Sequence, residues 1–408
     1  MNFDVVIVGA GPAGLSFARS LASTGLRLAV IEPQDATSLE NPSFDGREIA
    51  LTHHSVHLLR QLGLWERIPP GSIHILCDAQ VLDGDALPGM RLDHADGNRP
   101  QLGFLIANHL IRRAAYAAIA HQDGLSLMCG QRVTGVEPGP EWSRVRLSGG
   151  QTLTTKLVVA ADSRFSETRR GMGIPADTHD FGRTMMVCRM NHEELHHQVA
   201  LEWFDHGQTL ALLPLAEHQS SVVVTLPPVD IQGLMAAPDT EFAAAMESRF
   251  QGRLGKMSLA STRHAYPLVG VYPRRFVGER FALIGDAAVG MHPVTAHGFN
   301  FGLLGQDLLG RAIRHAQAGH TDIGDQRYLG QYARDLRRAT RPLYLATSAI
   351  TRLYTDDSRA GRLLRRAALS AGAALPPLRR ALVHSLTQAG DSRAATYPLL
   401  GLLRSLLP

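Results

Sequence analysis

From its first residues the chain alternates between short apolar blocks and amphipathic stretches, and the opening blocks set the frame for the rest. Residues 5–8, Val-Val-Ile-Val, are apolar and β-branched throughout, the pattern of a strand buried on both faces of a parallel sheet. Residues 15–24 read as a helix closed by Gly25, and residues 26–31 as a second apolar strand ending at Glu32. Between the first strand and the helix stand Gly9, Gly11, Pro12, Ala13 and Gly14, with the glycines at G-x-G-x-x-G spacing. At that spacing Gly9 permits a tight turn, Gly11 permits close backbone approach to a pyrophosphate, and Gly14 permits close helix packing. The helix N-terminus would offer N–H groups and a positive dipole end to the phosphates. An acid at the end of the second strand suits ribose hydroxyls and disfavours a 2′-phosphate, which points to FAD or NAD rather than NADP.

Further along, the rhythm changes twice. Residues 41–65 read as a loop that becomes a helix ending near Gly63, with Arg47 just ahead of the helical run and free to reach toward phosphate or a ring edge. Residues 71–104 break into short strand-like pieces separated by Asp-Gly and Pro-Gly turns, which is antiparallel β character. Residues 108–120 return to helix with Asn108 as N-cap, residues 125–136 and 143–148 read as strands, and residues 157–161 form a buried strand followed at once by Asp162. Residues 181–262 are mostly β, interrupted by a helix at 239–250. Residues 281–284 are a buried strand capped by Gly285 and Asp286, then a Gly- and Pro-punctuated loop, then a helix from about Asn300. From residue 325 the chain is helical, with a break at Pro376 and Pro377. The expected fold is α/β: a Rossmann-like dinucleotide domain from 1–70, 105–180 and 265–324, a β-rich substrate domain from 71–104 and 181–264, and a helical region from 325–408.

With 408 residues the chain has room for two or three domains. It has no run of 18 apolar residues, and it enters its first strand so early that no signal or transit peptide is expected. Cys77, Cys129 and Cys188 stand far apart and in no C-x-x-C pair, which suits a reducing cytoplasm. Charge is unevenly spread: residues 301–408 carry sixteen Arg and seven Asp with no Lys or Glu. Solvated helix faces explain that excess, and so does contact with an anionic membrane surface or an acidic partner. Nucleic acid is not implied, because no aromatic platform or basic module accompanies the arginines. Two histidine patterns resemble metal sites. His53, His54 and His57 lack an acidic or Cys partner. His192 to His196 matches H-E-x-x-H, but that motif needs a helix and here it lies between strands, so no metal site is expected.

Three motifs in order resemble the flavin-dependent aromatic hydroxylases of the para-hydroxybenzoate hydroxylase fold. They are Gly9 to Gly14 with Glu32, then Asp162 with Ser166 and Arg169, then Gly285-Asp286-Ala287-Ala288 with His292-Pro293 and Gly298-Phe299-Asn300-Phe301-Gly302. More narrowly, Asp45-x-Arg47-x-x-Ala50-Leu51, Leu62-Gly63-x-Trp65, residues 102–108 and the tail pattern from Tyr332 to Arg366 are similar to ubiquinone-biosynthesis hydroxylases. The chain departs from the family where Ser163 replaces a Gly, where Val289 replaces a His, and where Ala296-His297-Gly298 stands for Gly-Gln-Gly. The resemblance implies FAD as cofactor, NAD(P)H or another reductant as a transient donor, and a flavin hydroperoxide that hydroxylates a polyprenyl phenol or quinol with O2. By the same resemblance Arg47, Asn108, Arg112, Val133, Asp162, Asp286, Pro293, Gly298, Phe299 and Asn300 are expected at the flavin. His264, Tyr266 and His297 are candidates to polarise the phenol. The implied setting is cytoplasmic, peripheral to the inner membrane, beside other ubiquinone-biosynthesis proteins. A hydroxylase of a small soluble aromatic, a flavin reductase of isoprenoid chains, and a flavin-bound non-catalytic member of a quinone-biosynthesis assembly remain as alternatives.

Overall fold

The apolar opening run is buried because it lies in mid-sheet. Strand β1 (Asn2–Val8) pairs in parallel with Thr152–Ala160 on one side and with β2 (Leu28–Glu32) on the other. Phe281–Leu283 and Leu125–Cys129 extend the parallel array outward. The resulting order, 281–283, 152–160, β1, β2, 125–129, brings the carboxyl ends of all five strands to one edge. Val5, Val6, Ile7, Val30, Val158 and Val159 are fully enclosed, as a sheet covered on both faces requires. Helix α1 (Pro12–Ser20) packs beside Asn108–Ile119 and Gly298–Ala318. Val133–Glu137 and Ser143–Leu147 add an antiparallel extension to Thr152–Ala160.

The computed structural model describes residues 2–84, 86–97, 99–205, 207–292 and 297–355, together with Arg380 and Val383. A second sheet runs in the order Met257–Leu259, Ala176–His192, Gln219–Leu226, Gln208–Pro214, Val199–Asp205, Asp78–Asp83, Ala86–Leu92, and His264–Pro273 also pairs with Ala176–His192. Side chains alternate across it. Met186, Cys188, Trp203, Leu210, Val222 and Val224 point to one face and pack under Phe242, Met246 and Phe250 of the covering helix Asp239–Arg249 and its end. The alternate positions face the other way and line the cavity described below. A three-stranded sheet, Glu48–Leu51, Gly103–Ala107 and His74–Leu76, stands apart.

Several sequence expectations are corrected here. The loop-then-helix reading of 41–65 misses the strand Glu48–Leu51, which is held by pairing to Gly103–Ala107 rather than by any local pattern. Asn108 is not an N-cap: Ala107 occupies that place without a side-chain cap, and Asn108 is the first helical residue. The predicted antiparallel character of the second sheet fails at one join, because Asp78–Asp83 runs parallel to Val199–Asp205. The helix Pro228–Ala236 was not anticipated. At the chain's end, Gln326–Thr355 is one helix with Pro342 inside it. The predicted break at Pro376 and Pro377 lies outside the described residues. Val383 is fully buried against Met90, Leu92 and Leu102.

Candidate active site

A cavity of about 790 Å³ opens at the carboxyl edge of the parallel sheet and reaches across to the free face of the second sheet. Ligands of open parallel sheets collect at this edge. Its near wall is made by the strand ends. Gly9 leaves β1 at φ +103°, and a Cβ there would lie 2.6 Å from the carbonyl oxygen of Ala161. Gly14 is tighter still, since a Cβ would meet the Gly9 carbonyl oxygen at 2.1 Å. Gly11 differs: a Cβ on it would meet nothing within 4 Å, so its hydrogen leaves room on the cavity side. Gly11 is also the N-cap of α1, with Pro12 next and no side chain capping the helix. Space at Gly11 over an uncapped helix N-terminus is the cradle a pyrophosphate fits.

Glu32 is nearly buried, and its carboxylate accepts the Ala10 N–H at 2.7 Å and the Gln34 N–H at 3.0 Å. It thereby ties the glycine turn to the end of β2 and still lines the cavity. Asp162, at the end of Thr152–Ala160, accepts from the Ser166 hydroxyl at 2.6 Å and the Thr168 N–H at 3.1 Å. Ser163 takes φ +87°, a region that suits glycine better than serine; this is the position where the family pattern has Gly. The third turn closes on the first: a Cβ on Gly285, at φ +60°, would touch Ala13 Cβ at 2.8 Å. Asp286 faces the cavity with its carboxylate 3.5 Å from Arg164.

On the roof, Asp45 gathers three elements. It accepts from Arg47 and, at 2.7 Å, from the Asn108 amide, while its own carbonyl accepts the Tyr266 hydroxyl at 2.7 Å. Burial opposes charge on Asp45, but the Arg47 and Asn108 hydrogen bonds and the Arg47 charge outweigh it, and its pKa falls below the ordinary value. Arg112 reaches the wall and donates to the Gln34 side chain at 3.1 Å. His292, half-buried and beside Arg164, is pushed down to about 4 by burial and by that charge.

Of the residues singled out from sequence, Gly9, Gly11, Pro12, Ala13, Glu32, Arg47, Asn108, Arg112, Val133, Asp162, Asp286, Gly298 and Phe299 line this one cavity. Gly14 stands behind the turn. Asn300 is not on the wall either: buried, it accepts the Thr52 N–H at 3.1 Å and donates to the Ala50 carbonyl at 2.8 Å, bracing the Glu48–Leu51 strand. Pro293 lies outside the described residues. None of the three polarising candidates lines the cavity. His264 and Tyr266 sit on the cavity side of the second sheet, in register with Val187 and Met185, but past the lined area and under the Asp45–Gly46 loop. His297 is buried against Phe301.

The far wall comes from the β-rich segment expected on the substrate side, but none of its lining residues was singled out from sequence. Three cross-strand rows face the cavity. Thr209, Thr225 and Met185 form one; Glu202, Ala211, Val223 and Val187 form the second; Leu213 and Ser221 contribute to the third, where Arg189 follows Ser221 in register. Arg189 donates to Glu48 at 2.6 Å, and the other Glu48 carboxylate oxygen and the Ser221 hydroxyl are buried with no partner among the described residues. Burial pushes Glu48 up to about 7 against the opposing Arg189 charge. Period-two alternation was the available signal, but it could not say which face meets a cavity.

The apparent metal patterns have other occupations. His192 ends a strand, donates through Nδ1 to the Glu194 carbonyl and accepts through Nε2 from Ser220. His196 donates through Nε2 to the Ala216 carbonyl and accepts the Gln198 N–H. Both rings are therefore fully engaged. His53 bonds the Gln101 carbonyl. Asp78, Asp93 and His94 come together near the surface, but Asp78 is already paired with Arg91 and His94.

Comparison with known proteins agrees with this geometry. The model of the FAD binding domain family matches residues 2–343. The chain is 44% identical over 391 residues to the ubiquinone hydroxylase UbiM of Neisseria meningitidis, spanning 95% of this chain and 85% of that one. It is 34% identical to the ubiquinone hydroxylase UbiL of Rhodospirillum rubrum, over 92% of this chain and 87% of that one. Among solved structures, p-nitrophenol 4-monooxygenase PnpA from Pseudomonas putida superposes with a TM-score of 0.76 at 18% identity, covering 96% of this chain and all of that one, which speaks for the fold. The cradle at Gly11, the acid at Glu32 and the strand-end carboxylates fit FAD, and the chain belongs to the FAD-binding family of flavin monooxygenases, within the group of ubiquinone-biosynthesis hydroxylases.

Proposed function

We propose that this FAD-dependent hydroxylase acts on the aromatic ring of a polyprenylated ubiquinone precursor, a lipophilic phenol or quinol. One observation carries the reading: one cavity joins a dinucleotide cradle to a sheet face that presents Val187, Val223, Ala211 and Leu213. The bound flavin supplies the oxygen-transfer chemistry; the protein supplies position and dryness. Gly11 and the N-terminus of α1 would hold the pyrophosphate, Glu32 the ribose, and Asp286 with Gly298 and Phe299 the ribityl side. Arg47, Asn108, Arg112, Val133 and Asp162 would contact the rest. Val187, Val223, Ala211 and Leu213 would exclude water from the ring and keep it within the few ångströms that transfer demands.

No second G-x-G-x-x-G unit occurs in the sequence, so a nicotinamide donor would bind transiently. No helix among the described residues is long and apolar enough to cross a membrane. Delivery of a lipid substrate would then rest on peripheral contact, for which the arginine-rich stretch from residue 301 is suited. Mass spectrometry of the quinone lipids of source cells lacking this gene tests the reading. Accumulation of a precursor short of one ring oxygen, cured by complementation, is the expected result. Unchanged lipids in cells shown to carry no second such hydroxylase would overturn it.

A further inference from the structure

The far wall holds a group that neither the cofactor cradle nor the roof accounts for. Glu202 projects from the middle row of the second sheet, between Val81 on one neighbouring strand and Ala211 on the other. It lines the cavity, and the residues beside it on that face are Ala211, Val223, Val187, Leu213 and the two threonines Thr209 and Thr225. Among the described residues no hydrogen-bond partner and no counter-charge reaches its carboxyl group. Glu202 is half-buried, and a carboxyl group set among apolar side chains without a partner is costly, because part of its solvation is lost and nothing in the wall replaces it. Structural carboxylates in this protein are treated differently: Glu32, Asp45, Glu48 and Asp162 are all tied down by N–H or O–H donors. Glu202 has no such donor on either oxygen among the described residues, and it is aimed into the chamber where the ring is expected.

We propose that Glu202 is the residue that hydrogen-bonds a ring oxygen of the phenol substrate and so sets which ring carbon is presented to the flavin; this rests on the substrate class proposed above. In the absence of a counter-charge burial pushes its pKa up to about 8, so at neutral pH it is mainly the uncharged acid. An uncharged acid carries both an O–H donor and a carbonyl acceptor. It can therefore accept from a phenol hydroxyl or donate to a quinone carbonyl oxygen, whereas an aryl methyl ether has no hydrogen to give and its conjugated oxygen is a weak acceptor. The threonine row beside it supplies weaker polar contacts for a second ring oxygen. Val187 and Val223 of its own row, with Leu213 in the next, offer apolar surface for the start of the tail. A site that places one hydrogen-bonding group among apolar neighbours discriminates orientation strongly, since the flipped ring leaves that group unpaired.

The test uses the FAD-loaded full-length protein and two probes, 2-farnesylphenol and its methyl ether, each titrated in detergent micelles and followed by the change in flavin absorbance. The wild type should bind the phenol about tenfold more tightly than the ether, the size of one hydrogen bond kept or lost in a dry site. Glu202→Leu should erase that preference while leaving the ether's affinity unchanged, and Glu202→Gln, which keeps a donor and an acceptor, should retain most of it. Flavin content and spectrum of each variant report that it is folded. If the wild type prefers the phenol and Glu202→Leu prefers it equally, the assignment of Glu202 fails while the substrate class stands. If the wild type shows no preference, the assignment also fails. If the wild type binds neither probe, the substrate class fails and Glu202 with it.

Discussion

Along one wall the cavity meets main chain and glycine; along the other it meets side chains drawn from strands far apart in sequence. The cofactor wall is built by turns that leave the ends of parallel strands, and each turn is short, local and sterically exacting. Gly9, Gly14 and Gly285 pack against their surroundings so closely that a methyl group would collide. The substrate wall makes no such demand. Its rows are Thr, Val, Ala, Leu, Met, Ser and one Glu, held in place by a sheet whose other face is packed under helices. The first wall can bind one kind of ligand and tolerates little change. The second is a surface on which a few alternate positions decide the ligand while the backbone stays as it is.

The sharpest way to break this contrast is within the glycine turn itself. Gly14→Val should cost several kcal/mol and leave little folded, flavin-bearing protein, since its Cβ would sit on the Gly9 carbonyl and overpacking with nowhere to relax costs about 1–3 kcal/mol or more. Gly11→Ala should leave the unloaded protein as stable as before, because its Cβ meets nothing, yet lower FAD affinity at least tenfold. Thermal unfolding with and without added FAD separates the two outcomes. A stable, FAD-binding Gly14→Val would show that the turn is looser than its contacts indicate.

On the opposite wall the expected effect is smaller and depends on pH. The folded-state pKa of Glu202, about 8, lies above the ordinary glutamate value of 4.5. Between those values the folded protein binds more protons than the unfolded chain, so stability falls as pH rises through that window and levels off above it. Glu202→Gln removes the titration. The variant should match the wild type near pH 4.5 and exceed it above pH 8, by on the order of 2 kcal/mol, measured as the difference in denaturant midpoint at the two pH values. Equal pH dependence of the two proteins would show that the carboxyl group is solvated after all. The smallest effect belongs to the second turn: Ser163→Gly should stabilise by about 1 kcal/mol, because Ser163 is held at φ +87° and glycine adopts that conformation without strain. An unchanged or lowered melting temperature would mean that the serine side chain compensates.

The same contrast explains what could be read in advance. The cofactor wall was legible because its chemistry is written at fixed short spacings: Gly9 to Glu32, Asp162 to Ser166, Gly285 to Gly302. The parallel sheet followed from the apolar runs that precede those turns. Two side chains are engaged otherwise than their local pattern suggests, because their partners are remote. Asn300 resembles a flavin contact in its motif, yet its amide is spent on Ala50 and Thr52, a pairing across some 250 positions that no local pattern carries. Asn108 looks like an N-cap because asparagine before a helix usually is one, but the Asp45 carboxylate claims its side chain. Glu202 was invisible for a different reason. In sequence it is one polar residue in an alternating strand, where a polar residue ordinarily faces water; only the arrangement of two sheets around a cavity turns that face inward.

Alternation along the substrate strands also limits how this protein can change length. In Gln208–Pro214 the cavity receives Thr209, Ala211 and Leu213, while Leu210 and Leu212 go to the helix-covered core. One residue inserted within that strand would exchange the two sets beyond the insertion, placing leucines where the ring should lie and a threonine in the core. Substitutions can retune this wall singly, but insertions and deletions are confined to the turns between its strands. A lineage exploring new ring substrates on this scaffold would therefore be expected to keep strand lengths fixed and vary in side chain alone.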